Sequence, residues 1–252
     1  MNKIKISAVE YLNSKPFIYG LEKSEVKDHI DLSLDMPSIC AEKLINNQVD
    51  ISLVPVIAIP KIKEAHIITD FCIGAVGRVS SVMLYSEVSL QEIKEIILDY
   101  QSNTSVAMVK VLAKNFWNIN PQWKKGSEGF EKNFGGTTAA VIIGDRTLQM
   151  EKKHPFIYDL AEEWMKFSGL PFVFACWVAN KKLDDNFLKL FNEAITFGIR
   201  NKEFAIQEWS EKFSSKVNVR EYLEKSISYP FDDAKKKGLE LFLRLAVEIN
   251  EL

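Results

Sequence analysis

Four short stretches of this chain gather side chains able to hold and orient a small anion. The first is Tyr11-Leu12-Asn13-Ser14-Lys15-Pro16, directly after a strand pattern at Lys3–Val9. A tyrosine, an amide, a hydroxyl and a lysine in succession exceed what a strand-to-helix turn needs, although Asn13 or Ser14 also reads as a plain helix cap. The second is the pair Ser80 and Ser81 in "GRVSSV". In the third, Gln101, Ser102, Asn103, Thr104 and Ser105 crowd the start of a helical pattern. That end of a helix carries unpaired N–H groups and a partial positive charge, so flanking hydroxyls make a seat for a carboxylate. Capping by Ser102 or Asn103 is the alternative use. The fourth is an apolar strand running into Gly144, Asp145 and Arg146. Asp145 and Arg146 read either as a catalytic couple or as a cap and an ion pair. Glu10 reads as solvated. None of these stretches contains a histidine or a nucleophile paired with a base.

Composition narrows the chemistry. The chain has 252 residues, 47% hydrophobic and 26% charged, with a net charge of −2. That supports a large core, and without a basic tract no nucleic-acid partner is expected. His29, His66 and His154 are isolated, and Cys40, Cys72 and Cys176 lie far apart in apolar runs. They read as small core residues of a reducing compartment, and neither a metal nor a cofactor is expected. "WKKGSEGFEKNFGG" lacks phosphate-loop spacing and reads as a loop. "MNKIKISAV" enters a strand with no apolar leader core, and no run reaches the ~18 apolar residues of a membrane span. The expectation is a cytoplasmic protein with no membrane partner and no obligatory protein partner.

Strand and helix patterns alternate along the chain and predict an α/β fold with a largely parallel sheet. "DLSLDM", "VDISLVPV", "HIITDFCIGAVG", "SVMLYS", "IILD", "TAAVIIGD" and "LPFVFACWVAN" read as strands. "PSICAEKLINNQ" reads as a helix with Ile39, Cys40, Leu44 and Ile45 inward. "SLQEIKEI", "SNTSVAMVKVLAKNFW" and "LAEEWMKFSG" are further helices, and the chain beyond 184 is helical. No Gly/Ser linker separates the two α/β units, and both junctions are strand-like. This predicts two lobes joined by two crossing strands, Ser81–Ser86 and Pro171–Val178. One lobe takes 1–84 and 178–252, the other 85–177, with the ligand in the cleft between them.

Taken in order, "AVEYLNSKPF", "DISLVPV", "CIGAVGRVSSVMLYS", "LDYQSNTSVAMVKVL", "AAVIIGDRTL" and "YDLAEEWMKFSGLPFVFACWVAN" resemble the chorismate dehydratase family of the futalosine route to menaquinone. The resemblance covers about residues 3 to 180. It implies the two-lobed fold of type II periplasmic binding proteins, no cofactor, and chorismate as substrate. The implied reaction removes the C4 hydroxyl and C3 hydrogen as water, giving 3-[(1-carboxyvinyl)oxy]benzoate. It also implies catalytic roles for Asn13 and Ser81. Substrate contacts are expected from Tyr11, Ser80, Gln101, Ser102, Thr104, Ser105, Gly144 and Asp145, and the base is expected to be the substrate's own enolpyruvyl carboxylate. Ser14, a small conservative change, and Val76, Arg78 and Glu10 depart from the family pattern; a carboxylate at 76 can play no part here, and no mechanism is built on Glu10. A non-catalytic carboxylate-binding protein and a later enzyme of the same route share the fold and remain the alternatives.

Overall fold

The structure is a computed structural model and describes residues 3–150, 153–213 and 217–252. From the N-terminus it forms β1 (Ile4–Val9), α1 (Lys15–Lys23), β2 (Ile30–Asp35), α2 (Pro37–Ile45), β3 (Ile51–Pro55) and β4 (His66–Ala75). Then come β5 (Val82–Ser86), β6 (Glu95–Leu98), α3 (Asn103–Leu112), β7 (Gln122–Lys125), β8 (Thr138–Ile143), α4 (Asp145–Gln149), β9 (Phe156–Asp159) and α5 (Leu160–Ser168). The chain ends with β10 (Phe172–Ala179), α6 (Asp185–Arg200), α7 (Lys202–Ser210), α8 (Val219–Glu221), β11 (Ser228–Pro230) and α9 (Asp233–Glu248).

These strands make two sheets, ordered β11-β4-β10-β3-β1-β2 and β7-β6-β8-β5-β9, one to each lobe. Both are mixed rather than largely parallel. β1 runs parallel to β2 and β3, and β6 parallel to β7 and β8. β10 is antiparallel to β3 and β4, β11 to β4, and β5 to β8 and β9. Uninterrupted strand–helix–strand units give parallel pairs, whereas β10 re-enters the first sheet only after the second has been built.

That return also corrects the expected crossing strands. β5 lies wholly in the second sheet and β10 wholly in the first, between β3 and β4. The chain leaves the first sheet through 76–81 and comes back through α5 and 169–171. The first sheet therefore draws on 4–75 and 172–230, the second on 82–159, so the expected boundaries at 84/85 and 177/178 do not coincide with the sheets.

Other differences have local causes. "SLQEIKEI" is a 3-10 turn, Leu90–Glu92, closed by a capping box between Ser89 and Glu92. The following isoleucines are drawn into β6 between β7 and β8, where branched side chains pack well. In α2 the inward residues are Pro37, Cys40, Ala41 and Leu44. Ile39 and Ile45 stay 39% and 37% exposed. The charged strand β7 and the three-residue β11 are edge strands that hydrophobic alternation does not mark.

Packing fixes α1, the helix that directly follows the turn holding Asn13. α1 crosses α6 at Gly20 and Gly198, so tightly that a Cβ on Gly20 would sit 2.1 Å from the Ala194 carbonyl oxygen. Behind them Trp177 of β10 is buried edge-on against Phe17 and Phe191, with ring centres 5.9 and 5.3 Å away. Such aromatic contacts hold α1 on the sheet. The three cysteines are buried and in no disulfide. Among the described residues no helix is long and apolar enough to cross a membrane.

Candidate active site

A narrow cavity of about 50 Å³ lies where the ends of β1 and β8 and the start of β5 meet the start of α3, with β10 beneath. Its apolar wall includes Val9, Ile73, Val79, Ile143 and Phe174. Its polar wall is Tyr11, Asn13, Ser14, Ser81, Ser102 and Ser105. No carboxylate, lysine, arginine or histidine is among the residues lining it.

Each polar group is placed by its own backbone. Asn13 sits in a 3-10 turn, Leu12–Ser14, that runs directly into α1. Ser14 occupies the N-cap position without making a side-chain cap bond. Its Oγ instead donates to Asn13 Oδ1 at 3.2 Å. Ser81 ends the crossing segment 76–81, which is pinned by Asp159. The Asp159 carboxylate accepts the N–H groups of Val79 at 3.0 Å and Ser80 at 2.6 Å, and those of Ala161 and Glu162 at the start of α5. Burial raises the Asp159 pKa, and these N–H donors oppose that rise. Ser80 takes a left-handed backbone, φ 63°, and lines a neighbouring groove with Tyr85 and Arg78, not the cavity. Of the two serines the structure brings only Ser81 to the cleft.

The start of α3 divides in the same way. Ser102 is the N-cap, accepting Ser105 N–H at 3.2 Å and donating to Ser105 Oγ at 3.1 Å. Both line the cavity. Thr104 points elsewhere and accepts the Ile57 N–H at 3.4 Å. Residues three apart share a helix face, and Thr104, two positions after Ser102, is turned to another.

Gly144 has φ 69° and lies under the Tyr11 ring, where a Cβ would come within 2.9 Å of Tyr11 Cζ. Tyr11 donates to Gln101 Oε1 at 2.6 Å. Gln101 is outside the cavity wall and is held by Asp99 Oδ1 through its N–H at 2.9 Å and by Arg146 at 3.1 Å. Arg146 pairs with the buried Asp99 at 2.6 Å. Arg146 thus sits in an ion pair, outside the cavity wall. Asp145 turns from the cleft and accepts the Leu12 N–H with both oxygens at 3.2 Å. Burial pushes its pKa up to about 6, against the pull of that N–H and of Lys15. Lys15 also points away from the cleft, with its ammonium 3.9 Å from the centre of the Trp209 ring. Glu10 is exposed.

Two tyrosines of the C-terminal segment complete the site and carry no marker in the sequence. Tyr222 donates to Ser81 Oγ at 2.8 Å and accepts from Asn13 Nδ2 at 3.4 Å. Tyr229 donates to the Asn13 carbonyl at 2.9 Å. Both are buried. They lie in a segment whose spacing reads only as helix surface and core.

The sequence profile of a family described as menaquinone biosynthesis matches residues 4–248. Chorismate dehydratase of Campylobacter jejuni is 26% identical over 250 residues, 96% of this chain and 97% of that protein. Chorismate dehydratase of Thermus thermophilus is 27% identical over 165 residues, 58% of this chain and 60% of that relative's length. Among solved structures, a protein of Archaeoglobus fulgidus superposes with a TM-score of 0.76 at 12% identity, covering 99% of this chain and 98% of that one. A Candida albicans protein described as having the generic periplasmic binding protein fold gives 0.60 at 14% identity, covering 98% and 91%. The two lobes are thus those of a periplasmic-binding-protein-like fold, and the chain belongs to the menaquinone biosynthesis family.

Proposed function

We propose that the chain is a chorismate dehydratase, a hydro-lyase that converts chorismate to 3-[(1-carboxyvinyl)oxy]benzoate and water. The observation that carries this reading is a cleft lined by hydroxyls and an amide but by no ionised group. Chorismate brings two carboxylates and a leaving hydroxyl, and aromatisation of its ring supplies the driving force. Such a reaction asks for orientation and exclusion of water more than for a strong protein base. In this scheme Ser102 and Ser105, with the first N–H groups of α3, hold one carboxylate. Asn13 orients the enolpyruvyl carboxylate over C3, and Ser81 donates to the departing C4 oxygen. That carboxylate takes the C3 proton, the C3–H electrons form the new ring double bond, the C4–O bond breaks with its electron pair on oxygen, and the departing hydroxide takes the proton back from the carboxylic acid, leaving as water and restoring the carboxylate. Tyr11, packed on Gly144, closes one side. The names of the two relatives support the substrate.

The test is to mix purified protein with chorismate and follow ring aromatisation by ultraviolet absorbance. Turnover is expected without added metal or cofactor. A second reading, binding of a small carboxylate without chemistry, is favoured by the same Ser102–Ser105 seat. Saturable binding of chorismate with no aromatisation would select it.

A further inference from the structure

Tyr222 opens a π-helical turn, Tyr222–Ser226, that follows α8. Such turns are frequent where a side chain must be aimed at a site. Its phenol stands behind the cleft wall, between the lobe-crossing segment and the turn after β1, and touches the two side chains to which the reaction scheme assigns the chemistry. We propose that Tyr222 is a positioning residue whose phenol sets the direction of the hydrogen bonds at this site, so that Ser81 and Asn13 both present protons to the substrate.

The argument is an accounting of donors and acceptors. A phenol has one proton to give, and a buried one must give it. Tyr222 is 3% exposed, and the acceptor in reach is Ser81 Oγ at 2.8 Å. Ser81 therefore receives a proton from behind, and among the described residues no hydrogen bond uses its own proton. That proton is free to point into the cavity that Ser81 lines. The phenol oxygen in turn accepts one N–H of Asn13 at 3.4 Å, while Asn13 Oδ1 is occupied by Ser14 Oγ–H at 3.2 Å. This fixes the amide with its nitrogen toward Tyr222 and leaves its second N–H available. Tyr229 holds the Asn13 carbonyl at 2.9 Å, so the backbone does not turn with the side chain. A carboxylate and a departing hydroxyl both need donors, and an acceptor facing them would repel. One phenol thus makes two neutral side chains into donors at once.

This inference rests on the dehydratase reading, so wild-type turnover of chorismate is measured beside the variants. Tyr222→Phe keeps the ring and removes the director. Its kcat is expected to fall about tenfold or more while KM changes by less than about twofold, because the loss is felt when charge moves. Adding Tyr222→Phe to Ser81→Ala is expected to cost only about threefold further, less than Tyr222→Phe costs the wild type, since the phenol then has Asn13 alone to direct. A purely structural tyrosine gives losses that multiply and a KM that rises with them, and that result overturns the assignment. So does Tyr222→Phe with kcat within about twofold of wild type. If Tyr222→Phe does not fold, 3-fluorotyrosine placed at position 222 decides the matter, because it keeps the ring and the hydroxyl and alters only the phenol's strength as donor and acceptor: a kcat changed by more than about twofold with KM held supports the assignment, and unchanged kcat and KM overturn it. Wild-type protein that leaves chorismate unchanged overturns the reading and the assignment together, whereas the variant results overturn the assignment alone.

Discussion

Asp145→Asn separates the role of a buried carboxylate in the fold from a role in the reaction. Asp145 directly follows Gly144 of the cavity wall, and burial raises its pKa from the ordinary 3.8 to about 6. On number alone that suits a general base. Geometry argues otherwise, because both oxygens face the Leu12 N–H and none lines the cavity. A raised carboxyl pKa means that the fold favours the protonated form. The stability this contributes is fully present below pH 3.8 and is lost as pH rises through about 6. At ~1.4 kcal/mol per pH unit the loss is about 3 kcal/mol, which solvent screening of this partly exposed group trims to about 2 kcal/mol. An asparagine resembles the protonated acid and still offers one oxygen to Leu12. Asp145→Asn is therefore expected to be about 2 kcal/mol more stable than wild type at pH 8 and equal to it near pH 4. Urea unfolding of both proteins across that range measures the difference, and subtraction removes the other titrating groups. Turnover of chorismate is expected within about threefold of wild type. If the variant folds and binds chorismate but does not turn it over, Asp145 is the base and the substrate-assisted scheme is wrong.

Asn13→Ala is expected to lower kcat by more than it raises KM, and Asn13→Asp to be nearly inactive because it sets a negative charge against the substrate's own; wild-type turnover in either removes Asn13 from the mechanism. Ser105→Ala is expected to weaken chorismate binding by ~1.5–3 kcal/mol, the worth of a hydrogen bond to a charged group. Thr104→Val, whose hydroxyl meets the Ile57 N–H instead, is expected to leave KM unchanged and to lower stability by about 1 kcal/mol; equal effects of the two on KM, read from initial rates, refute this division of the helix start. Gly144→Ala is expected to cost ~1–3 kcal/mol in backbone strain at a φ, ψ of 69°, −155°, and to push the Tyr11 ring aside. Its unfolding midpoint and its kcat both report the result, and an unshifted midpoint would show that the strain is relieved elsewhere.

The parts of the site that were legible in the sequence are those encoded within a few residues. Asn13 and Ser14 follow a strand and precede Pro16, and Ser102 to Ser105 begin a helix, so local structure alone brings their polar groups to a strand or helix end. What stayed dark is decided by direction or by distance along the chain. Ser80 and Ser81 are chemically alike, and a φ of 63° at the first sends only the second into the cleft. The Asp159 carboxylate that pins this turn lies 79 residues further on. Thr104 could have been separated from Ser102 and Ser105 by helical spacing, and spacing was the signal that the run of hydroxyls concealed. Tyr222 and Tyr229 reach Asn13 across 209 and 216 residues. No pattern in the π-helical turn that holds Tyr222 or the three-residue strand that holds Tyr229 announces such a contact. The two lobes were legible from alternating elements without a linker. The crossing points were not, because β10 is apolar enough to suit either a junction or the middle of a sheet, and pairing with β3 and β4 decides it.

The cations near the cleft bear on why a site proposed for a doubly charged substrate is neutral. Lys15 and Arg146 both lie close by, and the fold turns both away: Lys15 onto Trp209, Arg146 onto Asp99. For a protein that only binds carboxylates this discards the strongest attraction available. On the proposed reading it is a requirement. An ammonium or guanidinium against the enolpyruvyl carboxylate would stabilise its charged form and weaken it as a base, whereas apolar neighbours such as Ile73 and Phe174 raise its basicity by denying it water. Neutral donors are the compromise: Asn13 and Ser81 orient the anion and the leaving oxygen while leaving the proton affinity of the carboxylate high. The same choice asks the lobes to exclude water, since a hydrated carboxylate loses that basicity. The contacts that bring the lobes together, Tyr11 to Gln101 and Leu12 to Asp145, flank the turn that carries Asn13. The contacts that join the lobes therefore also hold the turn that aims the amide.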